Sequence, residues 1–232
     1  MVAFPELINY LCTVSHHTSM VKGIITGDLV NSTNIAAECR QIVIDCLNAV
    51  VRDFSLESPM KLEMFRGDSF QVVVDSVQQT MTVAIALRAK LKASTPDKMD
   101  AWDARVSAGI GAVSYESDNI VTSDGEAFRL SGRAFDNLGK KRLALATPSP
   151  ELNEQAELNT RFADDIVSTL TKGQARVVYH SLLFPKKTQK EMAEDLNMSR
   201  QNFNNVWSSA KGQLISDYTE YIKTQIVKYI IQ

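Results

Sequence analysis

Between residues 20 and 147 the spacing of apolar side chains switches back and forth between a dense or alternating pattern and a period of 3.6. Each switch marks a strand or a helix, because strand side chains alternate between two faces while helical ones return every third or fourth position. Val21, Ile24, Ile25, Leu29 and Val30 predict a strand over Met20–Val30. Asn31, Ser32 and Thr33 supply N-cap chemistry. Ile35, Cys39, Ile42, Val43, Cys46, Leu47, Val50 and Val51 then predict a helix from Asn34 to Phe54. Two short alternating runs, Met60-Leu62-Met64 and Phe70-Val72-Val74, flank Arg66-Gly67-Asp68 and predict a β-hairpin. A helix over Val77–Ala93, a strand over Ala101–Tyr115, a helix over Ala127–Leu138 and a strand over Arg142–Ala146 complete the series.

The order β-α-β-β-α-β, followed by α-β, predicts an α+β fold of the ferredoxin-like split βαβ type, with its helices on one sheet face. Pro148 and Pro150 break the pattern, and residues 151–170 hold five acidic side chains against Arg161 alone. The expected organisation is an α+β domain over residues 1–148, an acidic connecting helix or linker over 149–172 and a helical domain over 173–232. Residues 1–18 predict a short helix, with His16 and His17 in a loop. Cys12, Cys39 and Cys46 form no C-x-x-C pair and are expected as small buried hydrophobes.

The formal net charge of −2 advertises no global field for nucleic acid, but the charge is uneven. Residues 171–232 carry 7 Lys and 2 Arg against 3 Glu and 2 Asp, a local +4, so the preceding 170 residues carry −6. That asymmetry suggests two parts with different partners. No apolar run reaches the ~18 residues needed to span a bilayer. No basic, apolar leader opens the chain, and the expected location is cytoplasmic.

Asp28 ends the first strand and Asp68 sits in the hairpin. In a split βαβ sheet these strands are adjacent and central, so the two carboxylates can meet at one rim. Close carboxylates repel unless a cation lies between them, and oxygen ligands of this kind suit Mg²⁺ or Mn²⁺. Such an ion clamps phosphates, and Gly27 and Gly67 would let backbone approach them. Two solvated turn aspartates are the other reading of the same spacing.

Residues 25–33, ITGDLVNST, look like the first-strand motif of class III nucleotide cyclases, and FRGDSF at 65–70 resembles the Gly-Asp hairpin of those enzymes and of diguanylate cyclases. RVSAGIG at 105–111 is similar to their next strand, and GEAFRLSGR at 125–133 to their helix bearing an Asn and, four residues on, an Arg. The resemblance implies metal binding by Asp28 and Asp68. It also implies phosphate stabilisation by Arg133 and nucleotide contacts from Gly27, Gly67, Asn31, Ser32 and Thr33. Arg129 stands where the cyclases have their ribose-orienting Asn and, as a cation, would pull on the nucleotide's phosphate instead, while Met64 stands where a lysine helps to read adenine. A homodimer is implied, since the family's active sites lie between protomers. The whole chain resembles the SatD-like family of bacterial proteins.

In the helical part, Thr188 and Glu191 form a capping-box pattern, Ala193 is small where two helices would cross, Asn197 suits a left-handed turn and Ser199 caps the next helix. This stretch resembles the helix-turn-helix of bacterial regulators and sigma-factor-like domains. Its second helix would present Arg200, Gln201, Asn202, Asn204 and Asn205 to the major groove, with Ser199, Lys186, Lys187, Lys190 and Lys211 near phosphates. Beyond it, Leu214, Ile215, Tyr218, Ile222, Ile226, Tyr229 and Ile230 recur at helical spacing and must bury a stripe against this chain or a second copy. The leading expectation is a transcriptional regulator that binds double-stranded DNA and senses a nucleotide or other phosphate ligand. The alternatives are a metal-dependent nucleotide cyclase forming a cyclic mononucleotide, and a protein-interaction scaffold.

Overall fold

The computed structural model describes residues 20–65, 67–115, 120 and 123–231. The expected helix over residues 1–18, with Cys12, His16 and His17, lies outside them. Strands β1 (Met20–Leu29), β2 (Met60–Phe65), β3 (Ser69–Val74), β4 (Ala104–Tyr115), β5 (Asp124–Gly125) and β6 (Leu143–Ala146) form one sheet. Its order is β2-β3-β1-β4-β5, with β6 also on β4. All pairs are antiparallel except β4–β6. The helices are α1 (Arg40–Phe54), α2 (Thr80–Ser94), α3 (Glu126–Asp136), α4 (Pro150–Thr169), α5 (Lys172–Leu183), α6 (Gln189–Asp195), α7 (Arg200–Ser209) and α8 (Gly212–Ile230).

The alternation in β1, β3 and β4 sorts the sheet into two faces. Ile25, Leu29, Phe70, Val72, Val74, Ala104, Val106, Ala108 and Ile110 share the large core with α1 and α2. Ile24, Val73, Val113 and Ala127 form a smaller core on the opposite face, which α3 covers. The expectation of helices on one face is therefore corrected. Ser107, Gly109 and Gly111 explain the difference: they make a strip of small residues along β4, and α3 settles onto it. A side chain at Gly109 would collide with the Ala127 carbonyl and the Ser131 amide.

Two boundaries also move. Asn31 adopts a left-handed backbone (φ 53°) and Ile35 is extended, so Asn31, Ser32 and Thr33 do not cap α1. They form a separate turn, and α1 starts only at Arg40. Pro150 opens α4, with the Ser149 hydroxyl accepting from the Leu152 amide, as proline at a first helical turn allows.

The 20-residue α4 is no free tether. It buries Leu152, Ala156, Ala163 and Val167 in the same core as the sheet. Helix α2 explains why one core spans both parts. Its sequence, TMTVAIALRAKLKAS, is apolar almost all round, which suits only a helix covered on every side. The sheet covers one side, and α1, α5, α8 and α4 cover the rest. Within that contact Arg88 is 0% exposed. It donates to Asp103 through Nε and Nη2 (both 2.9 Å), to Asp164 through Nη1 (2.7 Å) and to the Ser168 hydroxyl (2.8 Å). Lys92 donates to the Ser168 carbonyl, and Arg142 to Asp103. Cys39 and Cys46 are buried and free, as expected.

Burial alone would push the Asp103 carboxyl up, but hydrogen bonds and charge from Arg88, with Lys92 and Arg142, hold it below the ordinary carboxylate range. A carboxyl depressed on folding contributes stability above its unfolded pKa of ~3.9 and loses it as pH falls through the lower folded value. Acid should therefore unfold the chain below pH ~4, with a midpoint that Asp103→Asn shifts. Arg88→Ala should cost about 3–5 kcal/mol in urea unfolding, because it leaves the Asp164 carboxylate without its cation and strips buried Asp103 of its bidentate partner. Both halves should melt in one transition, read by far-UV dichroism and tryptophan fluorescence together.

Candidate functional site

Two groups of polar side chains stand apart from the core. The first lies at the rim where β1 ends. Asp28 pairs with Ser69 on one side and Arg105 on the other. Its carboxylate takes both forks of Arg105, Nε at 3.0 Å and Nη2 more closely. The Asp28 hydrogen bond in turn raises the guanidinium's pKa. That guanidinium lies 5.3 Å from the Phe135 ring centre of α3. Thr26, two residues before Asp28, faces the same way and hydrogen-bonds Ser131 of α3 and Gln71 of β3. This face of β1 is a polar seam that ties α3 to the sheet.

Asp68 looks the other way. Its carbonyl accepts from the Leu29 amide (3.1 Å), and its carboxylate accepts from the Ser32 hydroxyl (2.8 Å). It opens onto a cavity of about 370 Å³ under the start of α1. Leu29, Ile35, Val43 and Ile44 form the apolar wall, and Ser32, Thr33, Gly67, Asp68 and Arg40 the polar one. Gly67 needs its freedom here, since φ is +84° at the hairpin turn. Arg40 is exposed and, among the described residues, has no ion-pair partner.

The expected convergence of Asp28 and Asp68 is therefore not what the side chains do. One is matched by a guanidinium on the α3 side, the other bonds a serine on the α1 side. This donor set does not fit one divalent ion held between them. Among the described residues no group of three or more His, Cys, Asp or Glu could hold a metal.

Other expected nucleotide contacts divide likewise. Ser32, Thr33 and Gly67 line the cavity. Asn31 lies in a smaller one of about 180 Å³ beside Asn34 and Trp102. Gly27 serves the core, not a phosphate: its missing side chain makes room for the Phe70 ring. Arg129 pairs with Asp124 at 2.8 Å on the surface. Arg133 is exposed one turn further along α3, and neither arginine lines the Asp68 cavity within this chain. Arg40 was missed by the sequence reading. The available signal was a cation in the first turn of a helix, the end where the helix dipole favours anions, with no acidic side chain in that turn.

The second group lies on α6 and α7. Thr188 and Glu191 cap each other's backbone as the capping box requires. Asn197 takes the left-handed conformation (φ 53°), and the Ser199 hydroxyl accepts from the Asn202 amide. Met192, Ala193, Leu196 and Phe203 pack with Val177 of α5 into a separate small core. Helix α7 buries only Phe203 and leaves Arg200, Gln201, Asn202 and Asn205 exposed. Asn204 is half-buried, with its side-chain oxygen lacking a partner. Lys190 lies 3.9 Å from Glu194 on the surface. Lys211, by contrast, takes a left-handed conformation at the start of α8 and lines a groove against α4.

No protein-family profile and no curated protein matches the chain. Among solved structures, it is similar to the active GGEEF domain of a diguanylate cyclase from Vibrio cholerae. The identity is 14%, over 56% of this chain and 85% of that one, with a TM-score of 0.39. A likeness of this size assigns no function. Among the described residues no helix is long and apolar enough to cross a membrane.

The rim ion pair is partly open to water, with side-chain exposures of 20% for Asp28 and 41% for Arg105, so solvent screens it. Asp28→Asn and Arg105→Leu should each cost roughly 1 kcal/mol, and the double variant little more than either. Additive losses in urea unfolding would show that the two side chains are not coupled.

Proposed function

We propose that this protein is a cytoplasmic DNA-binding regulator. Its helical part works as a helix-turn-helix, and its α+β part, read as a ferredoxin-like cyclase-type domain, binds a phosphate-bearing small molecule without a resident metal. The observation that carries the first half is α7: a helix anchored by one buried side chain, Phe203, that turns Arg200, Gln201, Asn202 and Asn205 to solvent. Asn and Gln side chains can pair bidentately with adenine, and Arg with guanine, across the major groove. Lys186 and Lys190 lie on the preceding segment, where phosphates would pass. The second half rests on the cavity beside Asp68. A cation at Arg40, the Thr33 hydroxyl and a turn glycine are groups suited to an anion, with Ser32 engaging the Asp68 carboxylate, and the apolar wall suits the rest of a nucleotide. The cyclase reading lacks this support, since it needs Asp28 for an ion while Asp28 is held by Arg105.

Fluorescence anisotropy with duplex DNA from the protein's own upstream region tests the first half. Binding should weaken steeply with salt. Gln201→Ala with Asn202→Ala should lower affinity at least ~30-fold, as loss of two base contacts worth ~1–3 kcal/mol each predicts, with thermal stability unchanged. No binding to any duplex at low salt would overturn the reading. For the second half, nucleoside triphosphates should raise the melting temperature equally with Mg²⁺ or EDTA, and Arg40→Ala should abolish the shift. A cyclic product made with Mn²⁺ and lost in Asp28→Ala would instead establish the enzyme.

A further inference from the structure

The groove between α4 and α8 is used by neither proposed site. Its volume is about 420 Å³, and Ile166, Leu214, Tyr218 and Tyr221 supply its apolar lining. Phe162 stands at its edge with 61% of its surface exposed, and Leu214 is 56% exposed. Large apolar side chains left in water beside an open apolar groove mark a surface that is covered in use. The stripe that α8 had to bury is accounted for within the chain by Ile215, Tyr218, Ile222 and Ile226, so Leu214 belongs to a second, outward face.

We propose that this groove is the interface between two copies of the chain. Three observations favour a second copy as the occupant. First, the projecting Phe162 and the groove lie on the same surface, so one patch supplies both the knob and the hole that a two-fold interface requires. Second, the charges are self-complementary. Lys211 and Asp165 lie on opposite sides of the groove, on α8 and α4, and neither has an ion-pair partner among the described residues. The two helices run antiparallel, since Thr160 bonds Tyr218 while Glu151 bonds Tyr229. A two-fold axis along the groove lays α8 of one copy over α4 of the other with like ends together. Lys211 then faces Asp165 of the second copy, twice. Third, the area suffices. Two helices of 20 and 19 residues side by side present a face about 30 Å by roughly 20 Å. That is ~600 Å² per copy, and ~1,200 Å² in total reaches the lower range of specific interfaces.

Sedimentation velocity of the full chain tests this. A dimer is expected at micromolar concentration, and Phe162→Asp should reduce it to monomers with an unchanged circular dichroism spectrum. Lys211→Asp should weaken association at least tenfold, and adding Asp165→Lys should restore it. A chain that is monomeric at every concentration, or a dimer indifferent to Phe162→Asp, would overturn the proposal. So would occupation of the groove by residues 1–19 of the same chain, seen as monomers whose hydrogen exchange along α4 rises when those residues are removed.

Discussion

A guanidinium with no surface in water sets the terms for the rest of the structure. Removing Arg88 from solvent is costly, and the cost is offset only where its donors are matched with good geometry. Asp103 supplies a bidentate partner from the start of β4, and Asp164 and Ser168 supply the others from α4. The ion cluster can form only when sheet, α2 and α4 are already in place, so it fixes α4 in one register against α2. Apolar contact alone would leave that register loose, because a smooth aliphatic surface packs acceptably in several ways. Tyr179 adds a second tie, since its hydroxyl donates to Asp53 of α1 from the other side of the same helical layer.

The two polar groups differ in how much freedom this frame leaves them. Asp28 and Thr26 are consumed by the sheet and α3, through Arg105, Gln71 and Ser131. Their chemistry is spent on holding layers together. Asp68, Ser32 and Arg40 border an open cavity, and among the described residues Arg40 forms no ion pair. The exposed face of α7 is likewise unmatched. Its exposed amides and guanidinium have no side-chain partner among the described residues, although Ser199 and Phe203 hold the helix firmly.

Much of the sheet was legible because alternation fixes which residues share a face, and Met60–Val74 could pair only as a hairpin. The capping box at Thr188 and the left-handed Asn197 were legible for the same reason: each rests on residues within one turn of each other. What the sequence concealed were relations between distant residues. Asp28 and Arg105 lie 77 positions apart and become partners only once β1 and β4 are in register. Arg88 and Asp164 lie 76 apart. A lone arginine in the apolar run of α2 was the visible trace of that cluster. The small residues Ser107, Gly109 and Gly111 were the trace of α3 on the second face. Asn31 misled because a cap needs an extended backbone, and the tight turn after β1 imposes a left-handed one.

Helix α1 joins these regions in a way that follows from its length. Its 15 residues make a rod about 22 Å long. Arg40 stands at one end, against the cavity, and Asp53 lies near the other, bonded to Tyr179 of the helical layer. The helix thus runs from the cavity beside Asp68 to α5, the helix on which α7 is seated, so one element borders both regions.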